Sequence, residues 1–199
     1  MLKELIMKTR SYRRFDESVT IEPSTLEDLV DFARCSPSSA NLQPLKYVLC
    51  SDRETVERIF PHLRWAGYLE DWKGPAEGEH PTACIVILGD TEITSSFSCD
   101  HGIAAHAIML GATEKGLGGC VIGSFDKGGL RAVLGTQESR FEILLVLALG
   151  KPIEEVILED VGESRDIRYW RDEEGRHHVP KRPLEELIVT LSSEDADQA

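Results

Sequence analysis

Two stretches of the 199-residue sequence set polar side chains closely enough to hold a ligand. The first reads Thr9-Arg-Ser-Tyr-Arg-Arg-Phe-Asp16 and puts three arginines, Arg10, Arg13 and Arg14, within five residues, with Ser11 among them. A guanidinium offers planar donors that match phosphate oxygens, and the Ser11 hydroxyl adds to them. By composition alone a solvated basic turn fits as well. The second stretch, residues 35–47, reads CSPSSANLQPLKY and places Ser38, Ser39, Asn41 and Gln43 on a loop pinned by Pro37 and Pro44. Adjacent hydroxyls and amides suit the polar edge of a planar molecule. An ordinary turn uses the same residue types for backbone reasons.

Flanking elements must fix both stretches. Leu2, Leu5 and Ile6 predict a short helix ending near Thr9, which releases the basic segment. Ser24-Thr-Leu-Glu27 fits a capping box, and Leu26, Leu29, Val30 and Ala33 then share one helical face, so the loop at 35–47 leaves an amphipathic helix. Tyr47, Val48 and Leu49 read as a strand, and Ser51-Asp-Arg-Glu54 as a second capping box whose helix carries Val56, Ile59 and Phe60 up to Pro61. Residues 61–81 are irregular and bring Trp65, Tyr68 and Trp72 among charges and glycines. Such aromatics cover a pocket, meet a second subunit, or anchor the loop to the core.

Further on, residues 83–88, ACIVIL, read as a buried strand, and 97–115 as a helix apolar over most of its surface, hence central. Its small residues allow a second helix to approach closely, within the chain or across a subunit contact. Gly116 reads as a helix C-cap rather than part of a dinucleotide-binding turn, because a helix precedes it and Val121 stands where a third glycine is needed. Val121-Ile-Gly-Ser-Phe125 is then a strand end where open backbone can approach a ring, and Asp126 caps the next helix. Residues 143–149, ILLVLAL, form the strongest strand, apolar on both faces. The rest is polar. Residues 167–170 and Val179 flank a Glu173-Glu-Gly175 turn as a hairpin or an extended arm, Pro183 opens a last short helix, and residues 193–199 are a frayed acidic tail.

With 41% hydrophobic residues the chain can bury one sizeable core, so a single domain over residues 1–199 is expected. A net charge of −13 and a pI near 4.9 argue against nucleic acid or an anionic membrane as partner. A signal peptide's apolar stretch is not visible, and the expected location is the cytoplasm. Cys35, Cys50, Cys84, Cys99 and Cys120 are widely spaced without a C-x-x-C pair, which fits reduced and mostly buried thiols. No metal site is expected, since His101 and His106 are five apart on a helix and diverge.

The basic segment and SPSSANLQP together resemble the start of the nitroreductase family, flavin-dependent oxidoreductases that hold FMN. Gly116-Leu-Gly-Gly-Cys-Val-Ile-Gly-Ser-Phe125, the turn at Leu149-Gly-Lys-Pro152 and the closing Val179-Pro-Lys-Arg-Pro183 are similar to its later landmarks, in the family's order. The resemblance implies an α+β three-layer sandwich, a mixed and mainly antiparallel sheet covered by helices, with an extended C-terminal arm. It also implies an obligate homodimer with FMN at the subunit interface. Carried over by position, Arg10, Ser11 and Arg13 contact the FMN phosphate, ribityl chain and pyrimidine edge, and Arg182 with Lys181 completes the phosphate site. Pro37, Ser38, Ser39 and Asn41 line the isoalloxazine, while Gly123 and Ser124 offer backbone N–H groups to its N5 and O4 edge. The implied reaction is ping-pong: NADH or NADPH reduces FMN, and a small electron-poor acceptor such as a nitroaromatic or quinone takes the electrons. A flavin-binding regulatory or storage protein, a dehalogenase or a flavin-fragmenting enzyme are the alternatives. The sequence departs from the family pattern at Thr9, where a basic residue is frequent, and at Leu45, where a Trp is common.

Overall fold

The computed structural model describes residues 1–136 and 140–190; the acidic tail expected at 193–199 lies outside them. Contacts divide the chain into two compact units, Met1–Glu154 and Glu155–Ala199.

The first unit begins with α1 (Leu2–Lys8), capped at its C-terminus by Thr9, whose Oγ1 donates to the Leu5 carbonyl at 2.8 Å. A two-residue strand β1 (Phe15–Asp16) follows, then α2 (Pro23–Arg34), β2 (Leu45–Cys50), α3 (Arg53–Ile59) and β3 (Ala83–Asp90). The unit closes with α4 (Asp100–Glu114), β4 (Gly118–Ile122), α5 (Lys127–Leu134) and β5 (Phe141–Pro152). Helix α2 starts before the expected box: Glu22 is its N-cap and Pro23 sits in its first turn, where a missing N–H costs nothing. On α3 the cap is Asp52, which accepts from the Thr55 amide at 2.8 Å. Asp126 caps α5 as its position predicts, and Gly135 ends that helix at φ +66°.

Strand β5 organises the sheet, pairing antiparallel with β1, β3 and β4, while β2 pairs antiparallel with β3. Alternation along β3 explains its continuous apolar run. Ala83, Ile85 and Ile87 face α2 and α4, together with Leu147 and Leu149 of β5. Cys84, Val86 and Leu88 face the opposite layer, where Val56 and Ile59 of α3 and Leu130 of α5 meet Ile143, Val146 and Ala148. Every residue of β3 is buried because both faces are covered. The unit is therefore a three-layer α+β sandwich. Gly111 on α4 leaves room for α2: a Cβ there would lie 2.6 Å from the Phe32 ring. The tight helix approach read from small residues is thus made within the chain.

In the second unit β6 (Val156–Asp160) pairs parallel with β8 (His177–Lys181), and β7 (Trp170–Arg171) pairs antiparallel with β8. Pro183 precedes a single 3-10 turn, Leu184–Glu186, instead of a full helix.

Candidate functional site

The basic segment is fixed against β4. Ser11 forms a parallel bridge with Gly119, and the Tyr12 amide donates to the Gly119 carbonyl at 2.9 Å. Gly118 makes this possible, since a Cβ there would come within 2.6 Å of the Tyr12 ring and of Pro152. From the other side Glu154, itself buried, accepts a short hydrogen bond from the Arg13 amide. Arg13 is 9% exposed, and one of its terminal nitrogens donates to the Ser11 carbonyl at 3.2 Å. Arg10 reaches back to the Ile6 carbonyl at 2.8 Å, while its Nε is buried with no hydrogen-bond partner. A buried guanidinium N–H without an acceptor is costly, and an anionic ligand would satisfy it. Ser11 is exposed. Arg14 is taken by Glu79 in a two-pronged pair at 2.9 and 2.5 Å, so it braces the segment.

Beneath the segment lies Cys120, on β4. Burial pushes its thiol up, against the opposing charge of Arg13, so the group stays a neutral packing element. Thr9, at the position where the family pattern is frequently basic, is buried and bonds to Thr113 at 3.0 Å. Its environment favours a small hydroxyl over a cation.

The loop after α2 is organised by Asp100, the first residue of α4 and 3% exposed. Its carboxylate accepts from the Ser38 hydroxyl at 2.6 Å and from the Ser39 amide at 3.0 Å. Ser38 Oγ in turn accepts from the Gln43 amide at 3.0 Å. Within this bracket Ala40, Asn41 and Gln43 adopt φ of +49°, +55° and +52°, left-handed values that only Asn takes readily. The strain persists because Asp100 over-determines the loop. Ser39 and Asn41 are exposed, Pro44 is buried, and a cavity of about 310 Å³ opens beside Pro37, Ser38 and Tyr47. Burial, helped by the Asp100 charge, pushes the Tyr47 phenol up to about 12, so it remains a hydrogen-bond donor.

Gly123 and Ser124 lie just beyond β4. A Cβ on Gly123 would meet only Leu145, at 3.7 Å, so the backbone there is open. The Ser124 carbonyl is held by the Arg64 amide at 3.0 Å, and Leu63 bridges to Phe125 beside it. Strand β4 thus carries the basic segment near its start and the open backbone just past its end, from Gly119 to Gly123 a rise of roughly 13 Å. Lys181 and Arg182 belong to the second unit, at and just after the end of β8; both are exposed, and Arg182 lies 3.6 Å from Glu186.

Two residues that shape these loops, Asp100 and Glu154, carry no motif in the sequence. Asp100 looks like a routine acidic residue in a helix's first turn, and Glu154 sits in the Ile153-Glu-Glu155 run.

Comparison with known proteins gives this arrangement its context. The nitroreductase family model matches residues 6–151. An oxygen-insensitive NADPH nitroreductase of Helicobacter acinonychis is 24% identical over 185 residues, covering 77% of this chain and 88% of that protein. A solved FMN-dependent nitroreductase of Clostridium difficile R20291 is 25% identical and superimposes with a TM-score of 0.63 over 76% of this chain and 87% of its own. A nitroreductase family protein of Clostridium difficile 630, 20% identical, matches with a TM-score of 0.66 over 95% and 97% of the two chains. The family match spans both the basic segment and the Asp100-braced loop, and the chain belongs to the nitroreductase family.

Proposed function

We propose that the protein is an FMN-dependent oxidoreductase that draws a hydride from NAD(P)H and delivers two electrons to a small electron-poor acceptor, a nitroaromatic or a quinone. The observation that carries the reading is the basic segment laid on β4, with the orphaned Nε of Arg10 and the exposed Ser11 hydroxyl at one end of the strand and open backbone at Gly123 near the other. Those residues fit a long ligand with an anionic head and a planar, polar-edged ring. When bound, FMN supplies the redox chemistry, accepting the hydride and passing the electron pair onward.

The chain's own groups bind and orient. Arg10 and Ser11 take the phosphate end, and Arg13, whose backbone amide is held by Glu154, supplies a cation along the cofactor. Gly123 and Ser124 give backbone donors to the ring edge. Pro37, Ser38, Ser39 and Asn41 form one wall, which Asp100 holds in shape. The two half-reactions balance: NAD(P)H is oxidised to NAD(P)⁺, and the acceptor takes two electrons with protons from solvent. The active form is a homodimer, a reading supported by exposed apolar side chains on α1 (Leu2, Ile6, Met7) and near the chain end (Leu187, Ile188, Val189).

The absorbance spectrum of the purified protein tests the reading. A yellow protein that retains FMN, binds riboflavin far more weakly and bleaches on addition of NADH or NADPH supports it. A protein that takes up no FMN at micromolar concentration overturns it.

A further inference from the structure

The sheet of the second unit is assembled around one imidazole. His178, on β8, has Trp170 of β7 and Ile157 of β6 as its neighbours across the ladders. Its ring stacks on Trp170 with centroids 4.1 Å apart and planes 15° from parallel. Nδ1 lies 2.9 Å from Glu159 Oε2, and Nε2 lies 3.1 Å from Asp172 Oδ2. A neutral imidazole has one N–H and one lone pair, so in that form one carboxylate would face a lone pair. Only the imidazolium donates to both.

We propose that protonated His178 is a clasp that holds the three-stranded sheet of the second unit together, and that the sheet loosens when the clasp loses its proton. Three observations beyond the two contacts support this. Apolar burial in the unit is slight: Val161 and His177 are its only buried side chains among the described residues in the hydrophobic and polar classes, and Val156, Ile157 and Leu158 stay partly exposed. Second, the clasp spans all three strands, with Glu159 on β6, Asp172 directly after β7 and His178 on β8. Third, both carboxylates are held in place. Trp170 Nε1 donates to Glu159 at 3.1 Å, and Arg176 donates to Asp172 at 2.6 Å while also reaching Glu174 at 3.2 Å.

The charged and titratable groups facing the ring are thus Glu159 and Asp172, with Arg176 behind Asp172 and Glu174 behind Arg176. The hydrogen bonds His178 donates to Glu159 and then to Asp172 raise it above its ordinary value, against a smaller opposing effect of burial. For Asp172, burial alone pushes upward, but the bonds from His178 and Arg176 together outweigh it and hold the carboxyl well below the usual range. A histidine whose folded pKa is raised stabilises the fold fully below its unfolded pKa, about 6.5, and that stability is lost as pH rises through the folded value. Strand β8 ends in Lys181, and the Lys181 carbonyl accepts from the Val161 amide at 2.9 Å. Opening of the clasp would therefore free the segment that presents Lys181 and Arg182.

Hydrogen exchange of the full-length chain at about pH 6 and about pH 9, corrected for intrinsic exchange rates, tests the clasp together with an NMR titration of the His178 ring. The expected result is a His178 midpoint above 6.5 and a loss of protection in β6 and β8 of up to roughly tenfold per unit of pKa elevation, with β3 and β5 unchanged. His178→Gln, which cannot take a charge, should show the low protection already at the lower pH and no further change. Glu159→Gln should move the midpoint down. A His178 midpoint at or below 6.5, equal protection at both pH values, or wild-type pH dependence in His178→Gln would each overturn the proposal. If His178→Gln does not fold, an unmoved midpoint in Glu159→Gln overturns it instead.

Discussion

Strands β3 and β5 of the first unit and strands β6 to β8 of the second solve the same problem with opposite chemistry. Ile85, Ile87, Val86, Leu147 and Val146 are fully buried and carry no charge, so the large sheet rests on transfer of apolar surface from water. The small sheet has a protonated ring between two carboxylates and little apolar cover. Apolar burial is indifferent to pH and strengthens slightly with salting-out ions. A cluster of partly exposed charges responds to both pH and ionic strength. The two units should therefore lose stability under different conditions.

The comparison can be broken most severely at Ile85. Replacing this fully buried side chain with Ala should cost about 2–5 kcal/mol, by lost transfer energy and the cavity left behind. Urea unfolding followed by far-UV circular dichroism measures this, and the cost should be equal on either side of the His178 midpoint. A strongly pH-dependent cost would mean that the apolar sheet is coupled to titrating groups.

Arg10→Ala comes next. A charge-assisted hydrogen bond is worth about 1.5–3 kcal/mol, so FMN should bind roughly ten- to a hundredfold more weakly, with the fold unaltered. Fluorescence titration of apoprotein reads the change, and an unaltered dissociation constant would place the phosphate elsewhere.

Asp100→Ala removes the acceptor that brackets the strained loop, leaving the Ser38 hydroxyl and Ser39 amide to find water. The expected cost is about 1–3 kcal/mol, accompanied by faster amide exchange at Gln43. Should Gln43 exchange at the wild-type rate, Ser38 alone holds the loop. The smallest effect is at Arg176, whose pair with Asp172 is partly exposed. Arg176→Ala should lower stability only slightly at low salt, and less at high salt, as thermal unfolding will show. A larger, salt-independent loss would mean that Arg176 belongs to the clasp as fully as Glu159.

Thiol labelling sharpens the contrast within the first unit. Cys35 and Cys99 are exposed, whereas Cys50, Cys84 and Cys120 are buried, and burial pushes the Cys50 thiol up to about 11. Near neutral pH a maleimide should modify two cysteines in the native protein and all five after denaturation. Modification of a third at the native rate would reveal an opening of the core.

Legibility in the sequence follows the same division. The runs at 83–88 and 143–149 announced strands because a strand covered on both faces must be apolar at every position, a local property. Strand β6 escaped because its partner β8 lies some twenty residues on and pairs in parallel, a relation that no local period encodes. The caps of α2 and α3 shifted by one or two residues, as helix ends do when Pro23 can open the first turn or Asp52 can take the cap from a serine. At the candidate site the basic segment and the Ser/Asn loop were visible by residue type. The carboxylates that brace them, Asp100 and Glu154, were not, because a buried acid is defined by what folds over it.

The position of β5 also sets an order of events. It pairs with β1, β3 and β4, with Phe15 opposite Pro152, yet it is the last strand of its unit to be synthesised. Until residues 141–152 emerge, β3 has β2 on one edge only, and its other edge is open to solvent or to other chains. Contacts this distant in sequence must meet the full entropy of loop closure before they return any energy, so the first unit should fold late and slowly. During that interval the nascent chain needs shielding most at 83–90, a segment that the finished protein buries completely.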